Sequence, residues 1–256
     1  MAVAEIMDTP NLLLTWSEAP WDSVIFGYPV LQIGQLEMRG TAADKEFTAF
    51  EVARDDMGAG LVSCRLAHDR LRESMLLEDH GFRFIEMAYH PELDSLEMLA
   101  LPDDTLTIAP AGLQDMADVL EIAGHAFHNE RFHVDPRLNP ALGDLRYCNW
   151  VKSSLDHPRQ RLEVVRDGEH LVAFFVTEMK EDGTCYWHLN AVAPNAQGQG
   201  YGRRAWQAML RKAREDGARR VQTCIVARNH RVLNLYARLG FRFAPPLMTF
   251  HWVRAA

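Results

Sequence analysis

Val192-Ala193-Pro194-Asn195-Ala196-Gln197-Gly198-Gln199-Gly200-Tyr201-Gly202-Arg203 runs from the end of an apolar strand pattern into an amphipathic helix pattern. Three glycines at alternate positions let successive backbone N–H groups turn inward at a helix N-terminus, which makes an anion-binding nest. Two rival loops fail on chemistry. A P-loop needs Gly-Lys-Ser/Thr, which is absent, and the dinucleotide fingerprint needs GxGxxG where this stretch has GxGxG. A plain strand-to-helix turn remains the simple alternative for the loop taken alone.

Working outward, the helix from about Arg203 carries Ala205, Trp206, Met209, Leu210 and Ala213 on one stripe and stops at Gly217. Val221 to Ala227 reads as a strand. Val232, Leu235, Tyr236 and Leu239 line a short helix that ends at Gly240, and Phe241 returns to strand. Upstream, Leu162 to Arg166 and Leu171 to Met179 flank the hairpin turn Asp167-Gly168, and Cys185 to Ala193 is a further strand. Leu106 to Ile108 opens this half as a strand, followed by a helix on Leu113, Met116, Ala117, Leu120 and Ala123.

The first half repeats the second. An ungapped offset of 159 pairs Ile33 with Val192, Phe47 with Trp206, Phe50 with Met209 and Val62 with Val221. It also pairs Gly58-Ala59 with Gly217-Ala218, and Gly81-Phe82-Arg83-Phe84 with the identical Gly240-Phe241-Arg242-Phe243. Several matches in one register indicate a duplicated unit. The proline-rich segment Pro91 to Pro110 is the boundary, which predicts domains over 1–100 and 105–256. In the first copy Gly198, Gly200 and Gly202 become Arg39, Thr41 and Ala43, and Tyr236 becomes Leu77. Glu37 and Asp44 in that loop would repel phosphates, so this copy is expected to be degenerate.

With 256 residues, 48% hydrophobic and 24% charged, the chain can bury a sizeable core. The net charge of −8 excludes nucleic acid as an expected partner. Yet Arg203 to Arg242 holds ten Arg and one Lys against only Glu215 and Asp216, which fits local binding of an anionic ligand or an Arg-rich solvated helix face. No apolar run is long enough for a membrane helix, so no membrane partner is expected. Met1 to Pro10 holds Glu5 and Asp8 and lacks a basic n-region, so no signal peptide is expected. Cys64, Cys148, Cys185 and Cys224 are far apart with no CxxC pair, which predicts reduced thiols and a cytoplasmic location. His125, His128 and His133 with Glu130 suggest a metal cluster, but the order is not HExxH and no thiolate or further carboxylate completes a set. The expectation is no metal, with these histidines serving a substrate loop.

Gln197-x-x-Gly200-x-Gly202 resembles the pyrophosphate loop of the GNAT superfamily of N-acetyltransferases. Asn229 followed by Leu235-Tyr236-Ala237-Arg238-Leu239-Gly240-Phe241 is similar to that superfamily's second motif. The resemblance covers about residues 105–250. It implies an α/β (α+β) tandem GNAT-like fold, with a central mixed β-sheet flanked by helices and a degenerate N-terminal copy. It further implies acetyl-CoA as cofactor. Backbone groups of Asn190, Ala191 and Val192 would pair with the pantetheine arm, and the amides of Gln197, Gly198, Gln199, Gly200, Tyr201, Gly202 and Arg203 would hold the pyrophosphate. Asn229 would reach the pantetheine amides, and the Tyr236 phenol would protonate the departing thiolate. A phenol with a pKa near 10 remains an acid at neutral pH and suits a thiol leaving group; outside its motif, Tyr236 reads equally as a core tyrosine.

The acceptor side rests on shorter matches. Trp21-Asp22-Ser23-x-x-Phe26-Gly27-Tyr28-Pro29-Val30 resembles the opening of the dTDP-fucosamine acetyltransferases. Arg131-Phe132-His133-Val134-Asp135-Pro136, with Tyr147 and Trp150-Val151, looks like that group's substrate loop and helix. The resemblance implies a nucleotide-linked amino sugar as amine acceptor, with Phe132, His133 and Asp135 on the substrate. Another amine (amino acid, antibiotic or protein N-terminus) and a non-catalytic acyl-CoA-binding module stay open as alternatives. Glu178 and His188, on strands flanking the expected thioester, are the candidate general bases. The N–H near Val192 would stabilise an oxyanion. Cys185 and Cys224 read as core residues. Open sheet edges of such folds can pair between subunits, which leaves a homodimer open.

Overall fold

A computed structural model describes Ala4–Ala255; the N-terminal reading over Met1 to Pro10 therefore lies partly outside the described residues. The chain forms two compact units, and neither is continuous in sequence. One comprises Met1–Ala88, Val134–Leu142 and Pro245–Ala256; the other comprises Tyr89–His133 and Gly143–Ala244.

The first unit contains β1 (Glu5–Asp8), β2 (Leu12–Glu18), α1 (Pro20–Phe26), β3 (Val30–Met38), α2 (Ala43–Asp56), β4 (Leu61–Ala67), α3 (Leu71–Asp79) and β5 (Arg83–Tyr89). The second contains β6 (Pro91–Leu93), β7 (Thr107–Pro110), α4 (Met116–Ala126), α5 (Arg131–Val134), α6 (Pro140–Ser154), β8 (Gln160–Asp167), β9 (His170–Met179) and β10 (Thr184–Val192). It continues through α7 (Tyr201–Glu215), β11 (Arg220–Thr223), β12 (Ile225–Val226), α8 (His230–Arg238) and β13 (Arg242–Phe243). The last strand, β14 (Leu247–Val253), belongs to the first unit.

The first unit's sheet runs β1-β2-β3-β4-β14-β5. Only β3 and β4 are parallel there, and β14 is antiparallel to both neighbours. Its core gathers Phe47 and Phe50 of α2, Leu76 and Leu77 of α3, and Phe250 of β14. The second unit's sheet is seven-stranded, in the order β13-β6-β11-β10-β9-β8-β7. It is likewise mixed, antiparallel except for β10 and β11. Each sheet therefore takes in a strand that the simple cut at 100 to 105 assigns to the other half. β6 lies between β11 and β13, and β14 lies between β4 and β5. Backbone pairing, which the periodicity of a short strand does not encode, decides membership.

Local chemistry explains the elements around the glycine loop. Helix α7 buries the expected stripe: Ala205, Trp206, Met209, Leu210 and Ala213 are each at most 3% exposed. Each large side chain in such a stripe contributes about 1.5–3 kcal/mol of burial free energy. Trp206 stacks edge-on to Phe175 of β9 at 4.7 Å. Gly217 ends the helix at φ 89°, a conformation that glycine adopts without a Cβ penalty. One expected element is interrupted: the strand read as Val221 to Ala227 breaks at Cys224 into β11 and β12.

Candidate active site

β10 and β11 run parallel only over Thr184–Trp187 and Arg220–Thr223. Beyond that point β10 continues to Val192, still paired to β9 through Asn190–Phe175, Ala191–Phe174 and Val192–Ala173. Among the described residues, no strand pairs with the opposite edge of Asn190, Ala191 and Val192. The sheet of this unit is thus splayed: no partner strand covers this edge of Asn190 and Ala191, and at Val192 the carbonyl accepts from the Gln197 side chain. Such an edge accepts an extended, amide-bearing chain as an added strand.

The register of β10 slips between Trp187 and Leu189, which leaves His188 as the extra residue of a bulge. A bulge re-phases the side chains that follow it. Because directly paired residues share a face, Tyr186 lies with Glu178, and Asn190 lies with Phe175 on the other face. His188 stays with Tyr186 and Glu178, its Nε2 2.9 Å from Glu178 Oε2. Its ring also packs on Tyr186 at 4.8 Å and Trp150 at 5.9 Å. The two candidate bases are therefore one hydrogen-bonded pair, with Arg159 3.4 Å from the second Glu178 oxygen. Burial lowers the pKa of His188 more than Glu178 raises it. Burial would raise Glu178, but His188 and Arg159 bring it below the usual glutamate value. Neutral imidazole beside carboxylate is the resulting state at neutral pH.

The other face holds Tyr236. Its ring is 1% exposed, packed against Phe241 at 4.8 Å and Trp206 at 6.4 Å. The phenol donates to Asn190 Oδ1 at 3.4 Å. Burial pushes its pKa up to about 12. Tyr236 is thus protonated at physiological pH.

At the end of β10 the glycine loop opens onto α7. Gly198 and Gly200 have φ of 79° and 87°, the left-handed conformation required by the alternating nest. A Cβ on either would meet nothing within 4 Å, so backbone conformation, not crowding, calls for glycine there. The first amides of α7, at Tyr201, Gly202 and Arg203, are helix-end donors without intrahelical acceptors. The amide of Gln197 differs: it donates to Pro194 O at 3.3 Å, so it is already engaged. The Gln197 side chain instead ties the loop to its neighbours. It donates to Val192 O at 3.3 Å and accepts from Arg231 Nη1 at 3.3 Å. Gln199 donates to Asn195 O at 2.6 Å, and the Tyr201 hydroxyl donates to Asp167 at 2.8 Å. Arg204 is bound by both oxygens of Asp104, which raises its pKa further. Asn229 caps α8, its Oδ1 accepting from Val232 N at 3.3 Å.

The expected acceptor residues separate. Phe132 is buried beneath the guanidinium groups of Arg131 (4.6 Å) and Arg146 (4.9 Å). His133 pairs with Asp144 at 2.9 Å and stacks on Tyr147. Asp135 instead belongs to the first unit, where it is 1% exposed. Arg137 bonds both its oxygens, and His251 Nδ1 lies 3.0 Å from Oδ2. Those bonds hold it well below the usual carboxylate range despite burial. Sequence reasoning passed over Arg159 and Asp144, which lie apart from their partners in the chain and belong to no motif.

The corresponding loop of the first unit is built differently. At the offset of 159, Met38 stands where Gln197 stands, and the Met38 amide donates to Glu73 Oε1 at 3.0 Å. Arg70 neutralises that carboxylate at 2.7 Å. A built-in anion thus occupies a loop amide. Gly40 is also closed in, since a Cβ there would fall 2.0 Å from the Asn11 side chain.

Splayed strands, a bulge, a glycine nest at a helix start and a buried tyrosine bonded to Asn190 mark this end of β10 as the candidate site. Residues 117–241 match the model of the Acetyltransferase (GNAT) family. That stretch, just under half of the chain, is a GNAT-type acetyltransferase domain. A relative is the spore coat polysaccharide biosynthesis protein SpsD of Bacillus subtilis (strain 168), 20% identical over 247 residues, which cover 93% of this chain and 83% of that one. Similar solved structures include a conserved protein of unknown function from Staphylococcus epidermidis ATCC 12228 (TM-score 0.68, 13% identity, 100% of this chain and 96% of that one). A GCN5-related N-acetyltransferase from Sphaerobacter thermophilus matches at TM-score 0.63 and 14% identity, over 96% and 82% of the two chains. A tandem GNAT protein from the clavulanic acid biosynthesis pathway matches at 0.61 and 12%, over 96% and 80%. At such identities the structural likenesses speak to fold alone.

Proposed function

We propose that the second unit transfers an acetyl group from acetyl-CoA to a primary amine of a nucleotide-linked amino sugar. The observation that carries this reading is the splay itself. It leaves the edge of Asn190 and Ala191 without a partner strand, ending at Val192 where Gln197 bonds the carbonyl, with a neutral imidazole beside a carboxylate on one face of β10 and a protonated phenol on the other.

Pantetheine fits the open strand edge, and pyrophosphate fits the amides from Gly198 to Arg203. The amine approaches on the face of Glu178 and His188 and attacks the thioester carbon. A C–N bond forms, the carbonyl oxygen becomes an oxyanion, and the N–H near Val192 stabilises it. His188 takes the proton from nitrogen, and the Glu178 carboxylate stabilises the imidazolium. As the C–S bond breaks, Tyr236 gives its proton to sulfur, leaving the acetamide and coenzyme A thiol. The role of the Bacillus subtilis relative in polysaccharide biosynthesis, given by its name, supports a sugar as the acceptor's core.

Titration of acetyl-CoA into the protein by calorimetry tests the donor, beside a Gly200→Glu variant. Saturable binding, one per chain and lost in the variant, is expected. Absence of binding to the wild type would refute the proposal. Thiol release with dTDP- and UDP-amino sugars, set against free amino sugars and amino acids, then tests the acceptor.

A further inference from the structure

We infer that His128, His133 and Asp144 form a site for one divalent zinc-class ion, held by two imidazoles and one carboxylate. Each offers a ligand atom, and these atoms lie within 4.8 Å of one another. His133 Nε2 and Asp144 Oδ1 are 2.9 Å apart. Zinc bonds to nitrogen and oxygen of about 2.0–2.2 Å, set tetrahedrally, place neighbouring ligand atoms about 3.3 Å apart. An ion replacing the proton between this pair therefore asks for a shift of a few tenths of an ångström. The two imidazoles have centroids 5.5 Å apart with planes at 89°. Two rings on one tetrahedral ion stand about 5 Å apart. His128 is exposed on the turn after α4, so it can close the remaining distance.

The site is built around a fixed ring. The His133 side chain is 4% exposed, and its Nδ1 has no hydrogen-bond partner among the described residues. Asp144 is therefore the polar tie that orients it, with the stack on Tyr147 holding its plane. Gly143 admits the ring: a Cβ there would lie 2.6, 2.8 and 3.0 Å from three of its atoms. Glycine inside a helix costs about 1 kcal/mol against alanine, and Gly143 sits inside α6. That cost makes sense where the imidazole must pass close to the helix backbone. Asp144 is 40% exposed, which leaves water for the fourth position. N₂O donors with an open position suit zinc better than magnesium or calcium, which prefer all-oxygen shells. The ion would clip the turn after α4 to the start of α6. This reverses the expectation drawn from His125 and Glu130. His125 Nδ1 lies 2.8 Å from Glu121 O on its own helix, and the completing carboxylate comes from α6.

The test is a Co²⁺ titration of chelator-stripped full-length protein, read by visible absorption, followed by displacement with Zn²⁺. One equivalent with the intense d–d bands of four-coordinate cobalt is expected. His128→Ala and Asp144→Asn should each weaken binding at least tenfold and remove the bands, while calorimetric binding of acetyl-CoA persists and shows that the variants fold. Absence of those bands in the wild type would overturn the site. So would unchanged cobalt affinity in both variants, which would place the ion elsewhere.

Discussion

Two side chains on opposite faces of one strand carry the chemistry proposed for this enzyme. If Tyr236 is the acid for the leaving thiolate, Tyr236→Phe should lower kcat by about 10²- to 10⁴-fold. Its acetyl-CoA affinity by calorimetry should change little, because the phenol meets the sulfur only as the bond breaks. If His188 is the base, it must be neutral, so kcat/KM should rise with pH. The midpoint should lie below the ordinary histidine value of about 6.5, since burial lowers its pKa. Glu178 raises the pKa of His188, so Glu178→Gln should move the limb to lower pH while reducing the plateau rate. A pH–rate profile that Glu178→Gln leaves unmoved would detach the carboxylate from the base.

Elements set the precision with which these groups meet their ligand. The loop before α7 depends on Gly200 at φ 87°, and a side chain there costs about 1–3 kcal/mol in backbone strain. Gly200→Ala should therefore weaken acetyl-CoA binding by roughly 5- to 150-fold, with only a modest change in the thermal midpoint. The stripe of α7 behaves in the opposite way. Trp206 is 2% exposed and packs between Phe175 and Tyr236, so Trp206→Ala should destabilise by about 3–5 kcal/mol in denaturant unfolding. Contrasting the two variants separates the loop's binding role from the helix's packing role.

At the scale of the molecule, the two copies of the repeat differ at the loop that precedes the long helix. In the first copy, Glu73 engages the Met38 amide and Arg70 balances its charge. One acetyl-CoA per chain is therefore the expected stoichiometry. Sheet membership also constrains how the chain can be divided. β6 pairs with both β11 and β13, and Leu93 and Leu96 join the core of the second unit. A fragment beginning at Thr105 should thus be less stable than one beginning at Tyr89, by more than the small effect of adding a flexible leader. Denaturant midpoints of the two fragments measure the difference, and equal midpoints would show that β6 contributes nothing.

The sequence by itself determined the parts whose signal is local. Glycines at alternate positions before an amphipathic stripe fixed the loop and α7, because φ preference and helical period are properties of neighbouring residues. The Asp167-Gly168 hairpin and the stop at Gly217 were legible for the same reason, and the repeat was legible because it preserves spacing. Tertiary structure decided what depends on pairing between distant strands. The slip at His188 puts the His188–Glu178 pair and Tyr236 on opposite faces, although unbroken alternation along β10 would set His188 and Asn190 on one face. Asp135 was drawn to Arg137 and His251, and Asp144 was brought to His133, by chain crossings that composition does not record. β6 has three residues and β14 seven, and nothing in their residues names their neighbours; hydrogen bonding to a strand on each side assigns them. Local sequence specifies which elements form, and only the long-range satisfaction of backbone and buried charge selects which residues meet.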